Sequence, residues 1–413
     1  MNLKNLINFE DSRFIFDILF QNNKTARFVG GCVRDVLLKR EVTDIDIATT
    51  LHPDEVGKIF SKHSNVKVID IGKEYGTVMI TVNHYTYEIT TLRKDIHTDG
   101  RYAIVEYTDD WEEDASRRDF TINGMSYSPQ EDKLYDYFNG QMDLKAGLIK
   151  FIGDPHKRVE EDYLRILRLF RFYTYCGKTI DSASLVACKK YAKDMGRLSQ
   201  ERKMGELYRV LLHEKYMKTL ELMERNKIIA HVSVLPDWNF GIQLCKRLEK
   251  ICSSCDCEFA LVLKIFALFY KKSLPSSQIA KEFITLSKEK KKYLTALSRF
   301  VSSITLSNVI AKPHYFFYYY REVLMNGFLY LQAKELQEDE NKFKKIISII
   351  KRKLPAFPLT GSDIMSYFSL KPGKELGELL EVARNFWIES EFKASQKNIL
   401  AYIKHCRNSL SKF

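Results

Sequence analysis

The sequence predicts an α+β fold, with a small mixed sheet near the N-terminus and helices alone after it. Three observations carry this reading. Short runs alternate with period two, as in Asp44-Ile45-Asp46-Ile47, and they fall between residues 27 and 91. From about residue 215 the chain reads as helix after helix, with breaks at Pro236, Pro275, Pro313 and Pro355 and no useful strand alternation. The 413 residues, 45% hydrophobic and 29% charged, are enough for more than one core.

Residues 1–26 read as one helix, with Leu6, Phe9, Phe14, Ile18 and Leu19 on a shared face. A first strand follows at 27–29. After Gly30-Gly31 a short apolar helix runs through Val36 to Leu38, and the alternating strand occupies 44–48. His52-Pro53-Asp54-Glu55 opens a helix with proline in its first turn. Strands are expected at 66–71, 76–82 and 85–91, the last two paired across Asn83-His84. Residues 93–114 are polar, interrupted by Gly100, and read as a loop. A strand and turn at 134–140 close the first domain. One helix is expected from about 156 past Arg171, and another at 200–212. Further helices are expected at 215–228, 257–271, 277–284, 288–306, 313–335 and 340–353.

The chemistry concentrates in residues 28–50. On a strand, Asp44 and Asp46 share a face, so two carboxylates repel each other. A hard cation such as Mg²⁺ relieves that repulsion and is held by one or two carboxylates plus substrate phosphates. Gly30 and Gly31 permit close backbone approach to an anion at a helix start, and Arg34 adds a fixed charge for a triphosphate. Taken singly, an Asp-x-Asp run is also a polar strand face, and a glycine pair is also a turn. Taken together, they suggest metal-assisted nucleotidyl transfer. Glu88, on an expected strand, is either a third acid at the metals or a solvated strand residue.

With Gly30-Gly31-Cys32-Val33-Arg34-Asp35 and then Asp44-Ile45-Asp46, the chain resembles the DNA polymerase β-type nucleotidyltransferase superfamily. Within it, the match is to the class II branch of tRNA nucleotidyltransferases and bacterial poly(A) polymerases. Arg117-Arg118-Asp119-Phe120-Thr121-Ile122-Asn123 resembles the family's second motif, with Gly124 where the family often has Ala. Two arginines beside an acid fit a phosphate clamp, and they also fit a surface ion-pair cluster. Asp162, Arg165, Arg168 and Arg171 fall three apart, which on one helix makes a slowly turning stripe. An Asp can accept from the amino group of cytosine or adenine, and a good bidentate contact discriminates by about 1–3 kcal/mol. The same spacing also describes a solvated ion-pair face. Glu161-Asp162-x-x-Arg165 resembles the motif in which side chains replace a template. That resemblance implies base reading by Asp162 and Arg165, with Arg168 and Arg171 holding the nucleotide. It also implies a nucleotide-binding role for Gly31, Arg34, Arg117, Arg118 and Asp119. Arg202, in the matching Glu201-Arg202 element, is either structural or substrate-facing.

The resemblance implies a polymerase β-like nucleotidyltransferase head at 1–145, a helical neck at 146–215, a helical body at 216–335 and a tRNA-binding helical tail at 336–413. It implies CCA addition to tRNA from CTP and ATP with Mg²⁺ held by Asp44 and Asp46. Poly(A) synthesis, and addition of only CC or only A, are the alternatives that share these motifs. The net charge of +12 and pI near 9.1 suit a nucleic-acid partner. Lysine runs at 288–292 and 344–353 are phosphate contacts or solvated faces. No His-Asp dipeptide occurs, which argues against the phosphohydrolase domain of some relatives. The acid-containing N-terminus is no signal peptide and no apolar run is long enough for a membrane span, so a cytoplasmic protein without a membrane partner is expected. Eight cysteines without a regular frame suggest free thiols. The group Cys245, Cys252, Cys255 and Cys257 reads as helix cysteines or, less simply, as a zinc site.

Overall fold

The alternating runs do assemble into one mixed sheet. The computed structural model describes residues 3–8, 11–21, 25–69, 76–98, 103–234, 236–258, 260–271, 286–335 and 339–410. The chain divides into two units, Met1–Val234 and Leu235–Phe413.

In the first unit the strands are β1 (Ala26–Val29), β2 (Asp46–Thr49), β3 (Val66–Ile69), β4 (Thr77–Val82), β5 (Tyr85–Thr91), β6 (Arg93–Thr98), β7 (Ala103–Tyr107), β8 (Ser126–Ser128), β9 (Lys133–Tyr135) and the short parallel pair β10 (Leu148–Ile149) and β11 (Thr179–Ile180). Seven of them form a sheet in the order β3-β4-β5-β2-β1-β8-β9. Only β2 and β5 run parallel in it, with Asp46 opposite Glu88 and Ile47 opposite Ile89. Phe28 and Ile47 are fully buried, each worth about 1.5–3 kcal/mol. Phe16 covers Phe28 from helix α1 (Ser12–Phe20), ring centroids 4.5 Å apart. Helices α2 (Gly31–Leu37) and α3 (Pro53–Phe60) follow β1 and β2. The latter is capped through His52 and Glu55 and carries Pro53 in its first turn, as the sequence led one to expect.

Several expectations are corrected. The N-terminal helix is split into a 3₁₀ turn at Leu3–Asn8 and α1, while Phe9 lies outside the described residues. Asp11, between them, is engaged elsewhere: its N–H donates to Tyr87 Oη at 3.1 Å and its carboxylate accepts from Asn83 Nδ2 at 3.0 Å. The 44–48 strand starts at Asp46, leaving Asp44 in the segment before it. The polar loop at 93–114 is a hairpin of β6 and β7, followed by helix α4 (Trp111–Ser116). These two strands pair with each other and not with the seven-stranded sheet. The stretch closing the first domain adds β8 and helix α5 (Gly140–Ala146) to the expected strand.

The single helix from 156 is two, α6 (Pro155–Glu161) and α7 (Leu164–Cys176), with Asp162 extended at φ −154°, ψ 107° between them. Its carboxylate accepts the N–H of Leu164 at 3.0 Å, a local side-chain bond that competes with helix continuation. Helices α8 (Ser182–Tyr191), α9 (Gln200–Leu211) and α10 (Tyr216–Arg225) complete the first unit, and α7 packs on α9.

The second unit is helical throughout its described residues. Its helices include Trp238–Ser254, Leu261–Phe269, Lys288–Ser303 and Glu340–Ile350. The expected helix at 313–335 is broken at Tyr320 into Pro313–Tyr319 and Arg321–Glu335, and the one at 277–284 lies outside the described residues. Trp387, Ile364, Ala383 and Ile399 form the core of the last helices. All eight cysteines are free, and no group of three or more His, Cys, Asp or Glu side chains among the described residues could hold a metal, which removes the zinc reading there. No helix among the described residues is long and apolar enough to cross a membrane.

Candidate active site

The site is built where β1 ends. The chain turns at Gly30, φ +69°, a conformation that suits glycine. A Cβ there would come within 3.0 Å of Arg118 Nη1, so the glycine also admits that guanidinium. Asp46 opens the neighbouring β2 and stands beside Glu88 of β5. Burial and the Glu88 charge push the Asp46 carboxyl up to about 6. Asp44 adds to the push, while Arg118 and Arg34 oppose it. Asp44 itself is exposed, and its carboxylate accepts from Thr43 Oγ1 at 3.2 Å.

A strained, partly buried carboxylate with two acids near it is a donor set for a hard divalent cation. Since no three ligand side chains converge among the described residues, phosphate oxygens would have to complete the shell.

A buried relay of hydrogen bonds ties the motifs together. Arg34 donates to both oxygens of Asp35, at 2.9 and 2.8 Å, and to Asn123 Oδ1 at 2.7 Å. Asn123 Nδ2 donates to Asp119 Oδ1 at 2.9 Å, and Arg168 Nε donates to Asp119 Oδ2 at 2.8 Å. Burial pushes the Asp119 carboxyl up, but Arg168, Asn123 and the Phe120 N–H outweigh it and hold it down at about 2. Tyr175 Oη donates to Asp35 at 3.1 Å and ends the chain. A second anchor is Asp114, 3% exposed, which accepts from Arg117 at 2.8 Å and Arg118 at 3.0 Å. Burial raises its carboxyl, and the two guanidinium groups more than reverse this.

Asp162 and Arg165 are not bonded to each other. Asp162 Oδ2 accepts from Arg202 Nη2 at 2.9 Å, whereas Arg165 donates to Glu161 and, at 2.8 Å, to the Arg158 carbonyl. The break at 162 turns the carboxylate off the arginine stripe and toward α9.

Nevertheless, Asp46 of the sheet and Asp162 at the α6–α7 junction share one cavity of about 490 Å³. Gly30, Gly31, Arg34 and Asp46 line one side, with Arg118 and Asp119 beside them. Asp162, Arg165, Arg168 and Arg202 line the other. Three expected residues do not line it. Asp44 stands at the strand's approach, Arg117 turns to Asp114, and Arg171 turns to Glu206 at 2.9 Å.

Sequence reasoning left out Asp114, Asn123 and Phe172. For Asp114 a signal existed: it precedes Arg117 and Arg118 by three and four residues at the end of a helix, the spacing of facing side chains. Glu88 stands opposite Asp46 in the register but is exposed and does not line the cavity, so both of its readings stay open.

The poly A polymerase head domain family matches residues 26–150. Over 407 residues the chain is 29% identical to mouse CCA tRNA nucleotidyltransferase 1, mitochondrial, covering 96% of this chain and 90% of that one. It is 30% identical over 409 residues to the CCA-adding enzyme of Lactococcus lactis subsp. cremoris, covering 96% of each. The structure of the Thermotoga maritima CCA-adding enzyme complexed with tRNA shares the fold, with a TM-score of 0.73 at 20% identity over 98% of this chain and 96% of that one. On a likeness that runs the length of both chains, the protein belongs to the CCA-adding enzymes, class II nucleotidyltransferases of the polymerase β type.

Proposed function

We infer that this chain adds C, C and A in turn to the 3′ end of tRNA, using CTP and ATP and releasing pyrophosphate. The observation that carries the reading is one cavity uniting the sheet carboxylate Asp46, the clamp residue Arg118 and the Asp162–Arg202 pair. Asp44 and Asp46 are the residues that would hold Mg²⁺, which supplies charge neutralisation at the α-phosphate and a more reactive 3′-hydroxyl when bound. Gly30 leaves room for the Arg118 guanidinium against the backbone, Gly31 lines the same cavity, and Arg118, aimed by Asp114, meets the triphosphate's charge. Arg34 is held flat by Asp35 and Asn123 at the same wall. The tRNA hydroxyl then attacks the α-phosphorus as the bond to the pyrophosphate oxygen breaks.

Asp162 accepts from the amino group that cytosine and adenine share, and Arg165 donates to the ring acceptors. Arg168, fixed by Asp119, lines the same wall. Arg202 acts through Asp162 as a positioning residue. Arg202→Ala is expected to shrink the preference for CTP over UTP by about tenfold, the scale of one lost base-edge contact. Paired single-nucleotide incorporation assays measure this, and an unchanged ratio sinks the role.

The head at 1–145 does the chemistry, the neck at 146–215 selects the nucleotide, the body at 216–335 links them to the tail, and the tail at 336–413 grips tRNA. In the tail, Gly373 precedes the helix Lys374–Glu389, which buries Leu379. Eight free thiols fit a reducing compartment such as the cytosol.

A tRNA lacking its CCA end, incubated with CTP and ATP separately and then together, tests the whole reading. Growth by CCA only with both nucleotides is expected, and a long A tail on any RNA would instead identify a poly(A) polymerase. Asp44→Ala should abolish incorporation and leave tRNA binding largely intact. A variant that still extends tRNA at the normal rate contradicts the metal assignment.

A further inference from the structure

Behind the nucleotide cavity lies a second hollow of about 240 Å³, wholly within the first unit. Arg34 and Phe172 line both spaces and form the wall between them, the guanidinium carbon 5.1 Å from the ring centroid. The far side carries Arg171, Arg209 and His213.

The charges there do not cancel. Arg171 and Arg209 share one acid, the buried Glu206, at 2.9 and 2.8 Å. Two cations on one carboxylate leave one positive charge over. Arg171 Nε is buried with no hydrogen bond of good geometry, so its contact with Glu206 is one of charge alone. The strain shows in its acidity: burial, with Arg168 and Arg209 as like-charged neighbours, lowers the Arg171 guanidinium to about 10 despite Glu206. His213 Nδ1 accepts the Lys215 N–H at 3.2 Å, so the neutral ring has Nε2–H as its donor. Arg34, by contrast, is already spent on Asp35 and Asn123. The hollow therefore offers surplus positive charge and open N–H donors beside the place where a polyphosphate is cleaved.

We propose that this hollow is a second anion site, and that its occupant is inorganic pyrophosphate passing from the nucleotide cavity beyond the Arg34–Phe172 wall. Free inorganic phosphate shares the same chemistry, so the two sources must be told apart. The assignment rests on the reading that the reaction releases pyrophosphate, whereas the site's existence does not.

The test fills the nucleotide cavity of the full chain with a non-hydrolysable CTP analogue in the presence of excess magnesium. Inorganic pyrophosphate is then titrated by calorimetry. One further site is expected. Arg209→Ala and His213→Gln should each weaken it about tenfold, on the scale of a lost charge-assisted hydrogen bond. Both should leave kcat and KM for CTP unchanged, and Arg209→Lys, which preserves a partner for Glu206, should recover part of the affinity. Thermal melting checks that each variant is folded. Absence of the second site in the wild type, or undiminished binding in Arg209→Ala, overturns the proposal. Inorganic phosphate binding as tightly as pyrophosphate overturns the assignment of the occupant. Failure of the wild type to extend tRNA would defeat the proposed function but leave this binding measurement unaffected.

Discussion

Replacing Asp46 by Asn is expected to lower nucleotide addition by about 10³-fold or more while stabilising the protein in the absence of metal. The loss of rate follows from the proposed function, in which Asp46 is one of the two carboxylates that would hold the metal, whose charge stabilisation contributes several kcal/mol. The gain in stability follows from the raised carboxyl. Its folded value of about 6 lies above the ordinary 3.8. Below both values the acid is protonated in either state and costs nothing. As pH rises between them, the unfolded chain ionises first and the fold loses stability. By pH 7 the ionised Asp46 costs about 1–3 kcal/mol, allowing for screening at a partly exposed site. Asparagine removes that cost, so metal-free denaturation at pH 7 should show a more stable variant. Magnesium should raise the melting temperature of the wild type and not of the variant. A variant less stable than the wild type at pH 7 would show that the carboxylate is not strained.

The second large effect is expected from Asp119→Ala. Asp119 is 7% exposed and holds Arg168, Asn123 and the Phe120 N–H at once. Removing one partner of such a pair leaves the other charge and its hydrogen bonds stranded. Arg168 retains some access to water, its side chain being 33% exposed, so the cost is about 3 kcal/mol, at the low end for a broken buried pair. For a unit of this size, that lowers Tm by roughly 6–12 °C. The depressed carboxyl near 2 means that this stabilisation is complete above the ordinary acid range and is lost only as pH falls through about 2. Chemical denaturation at neutral pH measures the difference. A loss below about 1 kcal/mol would place Asp119 among ordinary surface ion pairs.

Much of this site could be read locally. Gly30, Gly31, Asp46, Arg118 and Asp119 occur in short motifs whose chemistry depends on neighbours one to five residues away, and the structure brings them into one cavity. What could not be read depends on pairings between distant segments. The Asp46–Glu88 neighbourhood arises from the one parallel ladder in the main sheet, whose register joins residues 42 positions apart. The Asp162–Arg202 bond spans 40 positions and competes with the local pairing that helical spacing suggests. In each case a residue that looked as though it belonged to its own segment is claimed by another.

The extended residue at 162 has a practical corollary for anyone wishing to move this enzyme's nucleotide choice into another scaffold. The direction of that carboxylate depends on two backbone torsions at the junction and on a guanidinium from a third helix. Transplanting the short run from Glu161 to Arg165 would therefore carry the letters without the aim. The graft would have to include α9 and the packing of α7 against it, because the carboxylate's direction is set at a joint between helices and not by the string of side chains alone.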